Sequence, residues 1–110
     1  MRDEHRLPVI RHAEFAVRIL EASHQQPVWL LFSASWCMPC RLLEPQLHQL
    51  MQDSAGVQIY KCDIEQDAEL AARYQVQSLP VVKCFRNGVL VDEFAGMLPV
   101  TKMRALLARQ

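Results

Sequence analysis

The sequence predicts an α/β fold in which a central mixed sheet of four to five strands is flanked by helices on both faces. Three observations carry this. Segments of helical and of strand period alternate along the chain. Val28-Trp29-Leu30-Leu31-Phe32 is apolar at every position, as in a strand covered on both faces. Near the end, Arg86-Asn87-Gly88 stands between two apolar runs and signals a tight hairpin.

Taken in order, a short strand is possible at Leu7–Ile10, where Pro8 confines it to a sheet edge. Phe15, Ile19 and Leu20, with Ala16 and Val17, recur at helical spacing within His12–Ser23. Pro27 ends that helix by pushing Gln26 out of helical geometry. After the strand Val28–Phe32, Pro39 suits the first turn of a helix reaching about Met51. Leu42, Leu43, Leu47 and Leu50 are placed on its buried side, and Pro45 should kink it. Val57–Cys62 alternates as a strand, and Gln66–Tyr74 is a short helix. Val81–Phe85 and Val89–Phe94 form the hairpin, and Val100–Ala108 is a last helix with Met103, Leu106 and Leu107 on one face. Strands separated by single helices are expected to pair in parallel through right-handed crossovers, with the hairpin adding an antiparallel part.

With 110 residues, one domain spanning 1–110 is expected. Twelve basic residues balance twelve acidic ones, so no basic field gathers nucleic acid or anionic lipid. The longest apolar stretch, Pro27–Ala34, is too short to span a bilayer. The charged opening, Met1–His12, has no apolar core of a leader, so a cytoplasmic protein is expected. His5, His12, His24 and His48 share no ligand spacing, and no metal site is expected.

Of four cysteines, Cys37 and Cys40 form a C-x-x-C where a buried strand hands over to a helix. Free backbone N–H groups and the helix dipole favour a thiolate there. Cys40 lies one turn on, within reach of a reversible disulfide. Cys37 would attack a substrate disulfide, and Cys40 would resolve the mixed disulfide. Cys62 and Cys84 stand among apolar neighbours and are expected to be packing residues. With no second C-x-x-C or spaced histidine pair, half a zinc site is the weaker use of the motif.

The stretch Phe32-Ser33-Ala34-Ser35-Trp36-Cys37-Met38-Pro39-Cys40-Arg41 resembles the F-x-A-x-W-C-G-P-C-K signature of the thioredoxin family. Pro45, Asp63, Leu79-Pro80, Phe85-Arg86-Asn87-Gly88 and Gly96 are similar to further family positions, so the resemblance covers about Val9 to Leu107. It implies the thioredoxin fold and a disulfide reductase. Cys37 would be the exposed nucleophile, Cys40 the buried resolving thiol, and Leu79–Pro80 a cis bond against them. Trp36, Met38, Pro39, Leu79, Pro80 and Gly96, with Met97 beside it, would form the substrate groove. The resemblance implies protein disulfides as substrates and a thioredoxin-reductase-like electron donor. The dithiol carries the two electrons itself, so no bound cofactor is expected, and nothing in the composition requires a dimer, so a monomer is expected. An oxidant or isomerase of the same fold, or a partner-binding module without turnover, are the alternatives.

Two departures matter. Met38 replaces the family's glycine between the cysteines, where the intervening pair shapes the thiolate environment and hence the redox potential, and it enlarges the apolar surface beside Cys37 that a partner would meet. Leu31 aligns with the family's buried aspartate, which assists proton transfer at the resolving cysteine, and no carboxylate replaces it nearby in sequence, so proton transfer at Cys40 is expected to need water or another group. Lys61, which would pair with that aspartate, is then expected to reach solvent or to favour the Cys37 thiolate.

Overall fold

The computed structural model describes residues 5–54 and 56–110. Its sheet has the order β2-β1-β3-β4. The strands are β1 (Val28–Ser33), β2 (Gln58–Asp63), β3 (Val81–Arg86) and β4 (Val89–Ala95). β1 is buried at every residue, as its unbroken apolar run requires. β2 pairs with it in parallel, Leu31 lying opposite Lys61.

β3 departs from the parallel pairing expected: it runs antiparallel to β1, with Leu31 opposite Val82. A parallel return must carry the chain back along a six-residue strand, about 20 Å. The intervening helix α2 (Glu69–Arg73) has only five residues and rises about 7.5 Å. The chain re-enters the sheet from the end at which β2 left it. The expected first strand contracts to one parallel bridge, Val9 to Lys61. Lys61 N–H donates to the Pro8 carbonyl (2.8 Å) and Ile10 N–H to the Lys61 carbonyl (2.9 Å). Pro8 has no N–H with which to lengthen that ladder.

Alternation along β1 divides the core into two layers. Trp29 and Leu31 face Leu43, Leu47 and Leu50 of α1 (Met38–Asp53) and Met103 of α3 (Val100–Ala108). Leu30 and Phe32 face Phe15, Ile19 and Leu70 on the opposite side. The segment carrying Phe15 and Ile19 is helical, with 3₁₀ turns at His12–Glu14 and Ala22–His24 around a π-helical stretch Ala16–Glu21. Ala16 and Val17 face solvent. In α1 the buried stripe is Leu43, Leu47 and Leu50, and Leu42 is 58% exposed rather than buried. Leu43, Leu47 and Leu50 follow the i, i+4, i+7 spacing, and Leu42 falls one residue off it. Asn87 (φ 56°) and Gly88 (φ 82°) both take left-handed geometry, as a tight hairpin between β3 and β4 demands.

Candidate active site

The β1–α1 junction builds the site. Cys37 caps α1 with extended backbone geometry, and its sulfur accepts the Cys40 N–H at 3.2 Å. Pro39 occupies the first turn, where a missing N–H costs nothing. Cys37 N–H donates to the Ala34 carbonyl at 3.1 Å, closing the turn. Ser35, beside it, donates through its N–H (3.0 Å) and hydroxyl (2.7 Å) to Glu65. The hydroxyl first and the N–H second hold the Glu65 carboxyl below its usual range.

Cys37 and Cys40 are joined as a disulfide, their Cα atoms 5.3 Å apart. Contrary to the expectation of an exposed nucleophile, Cys37 is only 4% exposed in this state, and Cys40 is fully buried. Both pack with Ala34, Ile64 and Leu79. What faces solvent is the collar around the pair. Trp36 is 68% and Met38 55% exposed, and Pro39, Leu42 and Met97 are also exposed. Leu42 belongs to no expected site, and its exposure follows from lying off the buried stripe of α1.

The Leu79–Pro80 peptide bond is cis, as the resemblance implied. Pro80 is buried, and its carbonyl accepts the Gly96 N–H at 2.8 Å. Gly96 has φ 74°, which a side chain would strain. Leu79 and Gly96 are half-buried.

Leu31 is fully buried in the sheet layer beneath α1. Its neighbour Lys61 does not reach free into solvent, as one expectation had it, but pairs with an acid. Lys61 Nζ lies 3.0 Å from Oε1 of Glu44. Glu44, on α1, is 9% exposed, and its Oε2 accepts the Leu7 N–H at 2.7 Å. The acid absent at Leu31 is thus supplied from the helix above. Glu44 lies three residues before Leu47 of the buried stripe, but nothing local in the sequence joins it to Lys61.

The remaining cysteines stay apart from the pair. Cys62 packs in the layer of Phe15 and Leu70, and Cys84 in that of α1 and α3. Burial pushes the Cys62 thiol up to about 11 and the Cys84 thiol to about 12.

The sheet has both parallel and antiparallel pairs, a C-x-x-C disulfide caps a helix, and Leu79, which precedes a cis-proline, packs against it. The family model described as Thioredoxin matches residues 6–109. The chain belongs to the thioredoxin family. Among its relatives, mitochondrial thioredoxin of Mus musculus is 33% identical over 97 residues, 87% of this chain and 57% of that protein. Thioredoxin 1 of Chlorobaculum tepidum is 37% identical over 79 residues, 71% of this chain and 78% of that one. Thioredoxin of Synechocystis sp. is 29% identical over 103 residues, 93% of this chain and 94% of that one. The chain spans little more than half the length of the mitochondrial relatives it matches.

Proposed function

We propose that the chain is a thiol–disulfide oxidoreductase that reduces disulfides in other proteins. The observation that carries this is the Cys37–Cys40 disulfide at the N-terminus of α1. In the reduced state, the N–H of Cys40 and the helix dipole favour a Cys37 thiolate. That thiolate attacks one sulfur of a substrate disulfide. A Cys37–substrate bond forms as the substrate bond breaks, and the first substrate thiolate leaves. Cys40 then attacks Cys37, forming the internal disulfide and releasing the second thiolate, so two electrons pass to the substrate. The exposed collar of Trp36, Met38, Pro39 and Met97 is an apolar landing surface for a protein substrate.

The dithiol carries both electrons itself, so the cycle closes when an external dithiol donor reduces Cys37–Cys40, and family membership favours a thioredoxin reductase in that role. We place the protein in the cytoplasm and treat it as a monomer. Its two remaining cysteines are free thiols, which suits a reducing compartment. Reduction of insulin driven by dithiothreitol tests the activity. The native protein is expected to accelerate it, and Cys37→Ser to return it to the dithiothreitol background. Cys40→Ser is expected to accumulate a Cys37–insulin adduct visible by mass. Equal rates for native protein and Cys37→Ser would overturn the proposal.

A further inference from the structure

Resolution requires Cys40 to lose a proton, and Cys40 is fully buried. A buried thiol ionises poorly unless a base stands near it. Two carboxylates are buried among the described residues, Glu44 and Asp67. Asp67 is held by His12, whose N–H and ring Nδ1 both lie 2.8 Å from its Oδ2, and it does not line the cleft beside the dithiol described below. Glu44 lies on the helix of Cys40, four residues on. That spacing brings the two side chains to one face, with Cβ atoms about 6 Å apart. Helical side chains also lean toward the N-terminus, so Glu44 overlies the turn that holds Cys40.

The surroundings give a proton somewhere to go. Glu44 and Lys61 line an open cleft of about 720 Å³, which Ser33 and Ala34 also line. Ala34 packs directly on Cys37 and Cys40. Neither cysteine lines the cleft, which reaches the dithiol only as far as Ala34 and opens to solvent. Its other charged or titratable groups are His5, Arg6, Arg41 and Asp63. Asp63 is the competing acid, but it ends strand β2 and does not share the helix of Cys40 as Glu44 does.

We propose that Glu44 is the proton acceptor for Cys40, replacing from helix α1 the acid that strand position Leu31 lacks. This rests on the oxidoreductase reading above. During resolution the Cys40 S–H proton passes to the Glu44 carboxylate. The resulting thiolate attacks Cys37, the Cys37–substrate bond breaks, and the substrate thiolate departs with the electron pair. Glu44 then releases the proton to the cleft, and the sequence reverses when a donor reduces the disulfide. Lys61 and the Leu7 N–H position the carboxylate.

Stopped-flow reaction of the reduced protein with an aromatic disulfide that releases a coloured thiolate separates the steps. The first phase reports attack by Cys37 and the second reports resolution by Cys40. Glu44→Gln keeps the volume and an acceptor for Leu7. It is expected to slow the second phase at least about tenfold at neutral pH, leaving the first within about twofold. With the base removed, the second phase should rise about tenfold per pH unit between about pH 6 and 8, whereas the native rate rises less steeply. The double variant Glu44→Gln/Lys61→Gln leaves no unpaired buried cation, so it serves if the single one does not fold, and the same slow phase is expected. Asp63→Asn is expected to change neither phase. A native second phase and pH profile in either Glu44 variant would overturn the proposal while leaving the oxidoreductase reading intact. Absence of any second phase in the native protein would overturn both.

Discussion

Asp67 shows how one side chain ties the N-terminal segment to the fold. The His12 N–H, before any other cause, holds its carboxyl below the ordinary value of 3.8. A lowered folded value means the unfolded chain binds the proton more readily. The stabilisation is complete above about pH 3.8 and is lost as pH falls through the folded value. Thermal melts of native protein and Asp67→Asn should therefore differ at neutral pH, with the gap closing only as pH falls from about 3.8 through the lower folded value. A gap independent of pH would contradict this. At this scale the reactive pair was legible, because Cys37 and Cys40 carry their spacing in the sequence. The pairing of Glu44 with Lys61 was not, because it joins residues 17 apart across a helix and a strand. Only the sheet register, which sets Lys61 beside Leu31, brings them together.

Between elements, the end of the N-terminal helix clasps the β3–β4 hairpin. Ser23 is fully buried, and its hydroxyl accepts the Gly88 N–H at 2.8 Å while donating to the Leu20 carbonyl at 2.6 Å. Its carbonyl accepts the Asn87 N–H at 2.8 Å and Arg86 Nη1 at 2.7 Å. Ser23→Ala leaves the Gly88 N–H without that acceptor and is expected to cost about 1–3 kcal/mol in denaturant unfolding. No measurable change would show that solvent replaces the hydroxyl. The Asn-Gly turn was legible from two residues, since local backbone geometry demands them. Ser23 was not, because its partners lie 63 to 65 residues away and serine is at home on any surface. The direction of β3 was missed for a related reason. Period-2 patterning reports that a strand exists but not which way it runs, and β3 runs antiparallel to β1.

The whole molecule holds its reactive pair between an ordered interior and an exposed apolar collar. The sheet order sets β1 between β2 and β3, so the β1–α1 turn emerges next to the β2 end at Asp63 and the β3 start after Pro80. Three separated segments, around Cys37, Pro80 and Gly96, thereby meet at one edge. That convergence was legible only through the family resemblance, since no local pattern joins them. The central claim is that Cys37 and Cys40 form a reversible couple poised to reduce other disulfides. Its most direct test is the equilibrium potential of the pair, measured against glutathione redox buffers with the oxidised fraction read by mass. We expect a two-electron transition near about −270 mV, low enough to reduce protein disulfides. A potential above about −200 mV, or no internal disulfide in any buffer, would contradict a reductant.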